Sequence, residues 1–307
     1  MSRRTTAFVA LGLLVVSVLA GCSRGSDTPD PTASTGKCSV LEPGTEQHTM
    51  TVDGQQRKFV TITPRTVAPN RKVPVVFMFH GLGSNAEQTL SYTAMGELAS
   101  ENNTAVVAPD AIGDPATWDV KGVANDRGKD AKFIDQLRST ISDDRCVDVD
   151  RQYVAGLSNG SAIVFALACR DDDPFAGYAG VAATFYEKQC DAAPPADLVY
   201  FHGTADKVVP FRGGKTPLFP VRAANTVMRD WAKHDGCDAE PRDREVGSDV
   251  ERFTWSGCND VRLDYYVIRG GGHTWPGAEV PIAPLGKTTS TIDATTLIAD
   301  FFRLPRT

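Results

Sequence analysis

Three short segments hold the residue types that together perform acyl transfer: Gly156-Leu157-Ser158-Asn159-Gly160, His202-Gly203-Thr204-Ala205-Asp206, and Gly271-Gly272-His273-Thr274-Trp275-Pro276-Gly277. A serine hydroxyl is a weak nucleophile until a histidine takes its proton, and a carboxylate keeps that histidine in the right tautomer. Ser158, His273 and Asp206 supply one of each. Taken singly, each has an ordinary reading. A serine between glycines caps a helix, an aspartate shapes a turn, and a loop histidine bonds to backbone. The combination is more specific, because each segment follows a strand-like stretch: Arg151 to Ala155 reads as a strand feeding the serine, and the apolar runs Ala196 to Phe201 and Leu263 to Ile268 lead to the acid and the histidine. Three strand ends would then converge on one site.

Nucleophile, acid and histidine in that chain order, each at the carboxyl end of a strand, is the α/β-hydrolase arrangement, with G-x-S-x-G as its sharp strand-to-helix elbow. Val73 to His80 is nearly all apolar, as expected of a strand covered on both faces of a parallel sheet. It runs into His80-Gly81-Leu82-Gly83, where glycines let the backbone turn an N–H toward a reacting carbonyl oxygen. The expected oxyanion donors are the amides of Leu82 and of Asn159, the residue after the nucleophile. His80 precedes the serine in the chain and is read as structural.

The remaining pattern alternates strands and helices. Asp53-Gly54 marks a hairpin between Thr49–Val52 and Arg57–Thr63. Helices are expected near Ala86–Glu101, Lys129–Ser142 (with Phe133, Leu137 and Ile141 on one face), Pro220–His234 and Ile292–Phe302. Further strands are expected near Thr104–Ala108, Gly177–Ala183 and Val250–Trp255. The predicted fold is α/β, a mainly parallel doubly wound sheet with helices on both faces.

These motifs resemble the extracellular polyhydroxybutyrate depolymerase and feruloyl esterase group of carbohydrate esterases, from about Cys38 to the C-terminal helix. The likeness rests on His80-Gly81 with Gly83, Thr117-Trp118-Asp119-Val120, Cys146-Val147-Asp148 through Arg151 to Gly160, His202-Gly203-Thr204 with Asp206, Val209-Pro210, Gly213-Gly214, and Gly272 to Gly277. The resemblance implies the same three residues, Ser158, Asp206 and His273, as the triad, and places Trp118 and Trp275 on the substrate cleft.

Arg3 and Arg4 precede an apolar run from Ala7 to Leu19, too short to span a bilayer and shaped like a secretory signal. Leu19-Ala20-Gly21-Cys22 resembles a lipoprotein processing site, which implies cleavage before Cys22 and lipid attachment there. The expected organisation is a signal over residues 1–21, a lipidated Cys22 with a Ser-, Thr- and Pro-rich tether over 22–37, and one catalytic domain over 38–307. The protein is then held on the outer face of the bacterial cell membrane or released from it. The formal charge is −6, and losing Arg3 and Arg4 makes it more negative, which argues against nucleic acid or anionic lipid as ligand.

Seven cysteines less the lipidated one leave an even set, as an oxidising compartment favours. The elbow strand starts near Cys146 and the following helix runs back toward Cys169, so these two are expected to pair. Cys237 and Cys258 flank a turn and a short strand and form the second expected pair. Elimination leaves Cys38 with Cys190.

No metal or cofactor is implied. The expected reaction is hydrolysis of carboxylic esters: feruloyl or acetyl esters of polysaccharide, polyhydroxyalkanoate, or short-chain esters, polymeric or small. Two other classes share the scaffold. A peptidase of this fold would be expected to bring a propeller or large cap domain, for which the length leaves no room. A lipid-anchored binding protein would have no need for a complete triad.

Overall fold

Every residue of Val73–Phe79 is buried, and its side chains divide between the two sides of the sheet with the period of a strand. Val75, Phe77 and Phe79 join one apolar cluster. Val76 and Met78 join another. A strand covered on both faces cannot alternate with polar residues, which is why this segment reads as an unbroken apolar run.

The computed structural model describes residues 41–65, 71–170, 175–216 and 220–306, all within the unit Lys37–Thr307. The signal and tether expectations, with Cys22 and Cys38, lie outside the described residues. Ten strands form the main sheet: β1 (Gly44–Val52), β2 (Gln55–Thr63), β3 (Val73–Phe79), β4 (Ala105–Pro109), β5 (Val147–Leu157), β6 (Gly177–Val181), β7 (Leu198–Gly203), β8 (Arg242–Val246), β9 (Val250–Thr254) and β10 (Leu263–Ile268). Their spatial order is β1-β2-β4-β3-β5-β6-β7-β10-β9-β8. The six central strands run parallel. Antiparallel strands extend both edges, the β1–β2 hairpin at one side and β9 with β8 at the other.

On one face pack α4 (Gly128–Ser142), α5 (Asn159–Ala168) and α6 (Ala224–His234). The first presents Phe133, Leu137 and Ile141 to the sheet, as its 3.6-residue spacing requires. α5 is different, being buried over nearly its whole length, and so it carries no amphipathic signal. The other face is covered by α1 (Ala86–Thr93), α2 (Leu98–Glu101) and α7 (Ala294–Phe301), while α3 (Val120–Ala124) sits beside α5.

Three elements differ from the sequence reading. The helix expected over Ala86–Glu101 breaks at Ala94, which adopts φ 54°. Thr93 bonds back to the Thr89 carbonyl at 2.7 Å and its hydroxyl accepts the Met95 N–H, offering the backbone an alternative to the helix ladder. The helix expected from Pro220 begins at Ala224, because Pro220–Val221 pairs with Gly214–Lys215 in a small ladder. β8 was not expected at all. Its Arg242, Asp243, Arg244 and Glu245 are exposed, and such a charged edge guards against pairing with other chains while erasing any apolar alternation.

The cysteine pairing differs as well. Cys237–Cys258 forms as expected, with Cα atoms 3.7 Å apart. Cys169 pairs with Cys190 instead of Cys146, at a Cα separation of 4.1 Å. This overturns both the Cys146–Cys169 and the Cys38–Cys190 expectations. Cys169 ends α5, and the connection from β6 to β7 carries Cys190 onto that end. Cys146 is itself disulfide-bonded. The two described bridges fit an exported protein.

Candidate active site

Ser158 sits between β5 and α5 with φ 57° and ψ −121°, a conformation that costs free energy for a residue with a Cβ and is held by its surroundings. Glycines make the turn possible. A Cβ at Gly156 would lie 2.4 Å from the Gly160 carbonyl oxygen, and one at Gly160 would lie 2.1 Å from that of Phe79. The serine N–H is tied to the Val181 carbonyl at 2.8 Å, which fixes the elbow to the neighbouring strand. Gly160→Ala is therefore expected to force β3 and α5 apart, lowering stability by about 1–3 kcal/mol or more and kcat with it. Urea unfolding and a rate assay check this; a stable, fully active variant would show that the contact yields.

His273 follows β10 and is clamped from a distant loop. Its N–H donates to the Leu285 carbonyl at 2.7 Å, and the Gly272 N–H donates to that of Lys287 at 2.8 Å. The imidazole Nε2 is 2.7 Å from Ser158 Oγ and Nδ1 is 2.7 Å from Asp206 Oδ2. A neutral ring that accepts the serine proton must carry its own hydrogen on Nδ1, directed at the carboxylate.

Asp206 follows β7 and its side chain is wholly buried. Oδ1 accepts the Val208 and Val209 N–H groups, each at 2.8 Å. Oδ2 faces His273 and also lies 3.3 Å from His202 Nε2. Burial alone would push the carboxyl pKa up. Hydrogen bonds from His202 and His273 and the charges on those rings outweigh it, and Asp206 stays ionised well below the usual carboxylate range.

The Leu82 and Asn159 amides border the serine from two elements. Asn159 opens α5, where the first N–H groups have no intrahelical acceptor and the helix dipole favours negative charge. Leu82 lies on a turn whose preceding carbonyl, Gly81 O, is gripped by His80 Nδ1 at 2.7 Å and by the Ser84 N–H at 3.2 Å. The peptide is planar, so holding the Gly81 carbonyl on one side turns the Leu82 N–H to the other. His80 Nε2 accepts the Ala111 N–H at 2.9 Å, and burial lowers the ring's pKa, keeping it neutral. His80 is thus a buried brace for the turn, as its place in the chain suggested.

The serine and histidine open into a cleft of about 600 Å³. Leu82, Val208, Val209, Ile282 and Leu285 form its apolar walls, and Ser84, Gln88, Thr89 and Tyr92 line one side. None of its described lining residues is an acid, a lysine or an arginine. The expectation that Trp118 and Trp275 line the cleft is not met. Both are core residues, 3% and 0% exposed. The Trp118 indole packs edge-on against Phe79 and donates to the His80 carbonyl at 3.0 Å, beneath the Leu82 turn. That of Trp275 donates to Thr295 Oγ1 at 3.1 Å. Each indole buries a large apolar face once its N–H has an internal acceptor, and no exposed position offers as much. Sequence reasoning missed the true walls, because Tyr92 on α1 and Val208 and Ile282 on two loops are far apart in the chain and belong to no motif of their own.

Residues 59–209, which include Ser158 and Asp206, match the Esterase PHB depolymerase family. Feruloyl esterase D of Neurospora crassa is 25% identical over 301 residues, covering 92% of this chain and 94% of that protein. Feruloyl esterase C of Emericella nidulans is 27% identical over 265 residues, covering 83% and 85%. Among solved structures, an acetyl xylan esterase from Aspergillus awamori shares the fold with a TM-score of 0.62 at 15% identity, covering 84% of this chain and 99% of that one. The class is therefore a carboxylic ester hydrolase of the α/β-hydrolase fold. Within it, residues 59–209 match the polyhydroxybutyrate depolymerase family, and the chain is similar to feruloyl esterases over most of its length.

Proposed function

We propose that the protein is a serine esterase in which Ser158 is the nucleophile, His273 the general base and acid, and Asp206 the carboxylate that orients it. The observation that carries this reading is the unbroken chain Ser158 Oγ to His273 Nε2 and His273 Nδ1 to Asp206 Oδ2, both links 2.7 Å, at the floor of an uncharged cleft. Ser158 Oγ attacks the ester carbonyl as His273 takes its proton. The developing oxyanion is met by the Leu82 and Asn159 N–H groups, which cost nothing to reorient because the His80 brace and the helix end already hold them. The imidazolium, stabilised by the ionised Asp206, protonates the departing alcohol, and water then releases the acid by the same steps in reverse.

The substrate reading follows from the cleft. Aliphatic walls beside the serine suit an uncharged acyl group larger than acetyl, while the Ser84, Gln88 and Tyr92 side supplies hydroxyl and amide partners for an oxygen-rich remainder. A feruloyl ester of a polysaccharide and a hydroxyalkanoate oligomer both meet that description. Rates on methyl ferulate, acetylated xylan, hydroxybutyrate oligomers and a dipeptide amide test it. Highest kcat/KM is expected on ferulate or the hydroxybutyrate oligomer. Preference for the amide would make the protein a peptidase, and no turnover on any of them, with p-nitrophenyl acetate also inert, would make it a binding protein.

The anchor belongs to the same proposal. Lipid on Cys22, followed by the tether over residues 23–37, would hold the catalytic domain at the outer membrane face, where it can reach polymer. Cys22→Ala is expected to move the protein from the membrane to the soluble fraction with its esterase rate unchanged. Retention on membranes after a high-salt wash would count against lipidation.

A further inference from the structure

The mechanism leaves one buried histidine unused. His202, the penultimate residue of β7, is 2% exposed. Its Nε2 is 2.9 Å from the Val209 carbonyl oxygen and 3.3 Å from Asp206 Oδ2, and its Nδ1 is 2.7 Å from the Tyr200 hydroxyl. A carbonyl only accepts, so Nε2 carries a hydrogen, and in the neutral ring Nδ1 is left to accept from Tyr200. The ring is confined as well: Phe211 packs edge-on against it at 5.5 Å, and Tyr200 is itself stacked on Tyr265 at 5.5 Å. The titratable groups nearest His202 are accordingly Tyr200, Asp206 and, one step further, Tyr265 and His273.

We propose that His202 is a positioning residue for the triad carboxylate, sharing its Nε2–H between the Val209 carbonyl and Asp206 Oδ2 while the Tyr200 hydroxyl locks its tautomer. The proposal rests on the assignment of Asp206 as the triad acid. Its geometry is reciprocal. The Val209 N–H holds Asp206 Oδ1 at 2.8 Å while the Val209 carbonyl receives the His202 N–H, so the turn that presents the acid is closed from both ends. Oδ2 then has two donors, His273 for the reaction and His202 for alignment. The second donor has two effects. It stops the carboxylate rotating about its Cβ–Cγ bond away from His273, and it draws off part of the negative charge that faces the imidazole.

The test is the steady-state rate and the pH profile of kcat/KM for His202→Leu, His202→Gln and Tyr200→Phe, with thermal unfolding and near-ultraviolet circular dichroism on each. His202→Leu is expected to lower kcat by about 10- to 100-fold, as loss of a partner one step from a reacting group does, with KM nearly unchanged. Its acid limb should move to higher pH, because the undiluted carboxylate favours protonated His273. His202→Gln, which keeps a donor, should recover most of the rate. Tyr200→Phe leaves the ring in place and should cost a few fold with the limb shifted in the same direction. If His202→Leu does not fold, Tyr200→Phe carries the test. An unmoved pH limb in folded variants, whether the rate is kept or falls only as stability falls, overturns the proposal. Adding Asp206→Asn separates the two assignments. If His202→Leu has no further effect in that background, His202 acts through the carboxylate; a full additional loss there overturns the proposal. If Asp206→Asn alone keeps near wild-type kcat, the triad assignment fails and the proposal fails with it.

Discussion

Ser158→Ala is expected to lower kcat on an activated aryl ester by roughly 10⁴- to 10⁶-fold and to leave the protein folded. The size follows from the chemistry, since removal of Oγ deletes the attacking atom and leaves only the oxyanion donors and the cleft to act on the substrate. Stability should change by about 1 kcal/mol or less, because the hydroxyl is half-buried and its partner His273 keeps the bond to Asp206. The strained φ of the elbow is unaffected, as alanine also has a Cβ. KM for the same ester should stay within a few fold, since the cleft walls are intact. Burst kinetics and circular dichroism of the purified variant decide the matter: activity within tenfold of wild type would remove Ser158 from its role.

Asp206→Asn should lower kcat by about 10⁴-fold while the fold persists, and the reason is local. Oδ1 is held by two backbone donors, Val208 N–H and Val209 N–H. An asparagine must therefore put its carbonyl oxygen there and its NH₂ where Oδ2 stood, facing His273 Nδ1. That ring nitrogen is then forced to accept, Nε2 carries the hydrogen, and the histidine no longer takes the serine proton. In the wild type, kcat/KM should rise with pH through one ionisation of the base and level off at alkaline pH. Asp206 adds no ionisation of its own to that limb, because it stays ionised well below the usual carboxylate range. A depressed carboxylate pKa also signs the stability: the contribution is present above the ordinary carboxylate value, near 4, and is lost as pH falls toward the folded value. Acid unfolding of wild type should thus be steeper than that of Asp206→Asn. Near wild-type kcat in the variant would mean that another carboxylate serves the base.

The site was legible in the sequence to the extent that it is made of local turns. Gly156 and Gly160 flank Ser158 because a Cβ at either position would meet backbone, and such a requirement leaves its mark at fixed spacing. The stretch before Ser158 and the apolar runs before Asp206 and His273 mark strands, and a parallel sheet places their carboxyl ends at one edge. That His80 is structural and not the base was readable from its position, as it precedes the serine; its grip on the Gly81 carbonyl was not. His202 was not readable, although it stands inside a motif, because its function depends on Tyr200 and on the Val209 carbonyl seven residues away.

From the sequence alone came every strand of the main sheet but β8, the mainly parallel sheet, the elbow, and three residues able to act together. Periods of 2 and 3.6 and the conformational needs of tight turns are properties of neighbouring residues, and a single chain displays them. Tertiary structure alone decided which cysteine meets Cys169, where the tryptophans lie, and what walls the cleft. Those outcomes depend on packing between segments far apart in the chain. The β6–β7 connection carries Cys190 to the end of α5, Trp118 and Trp275 gain more from burial with an internal acceptor than from the cleft, and Tyr92, Val208 and Ile282 line one cleft only because α1 and two loops converge beside the serine. No local pattern records such a sum of contacts, and so it appears first in the folded molecule.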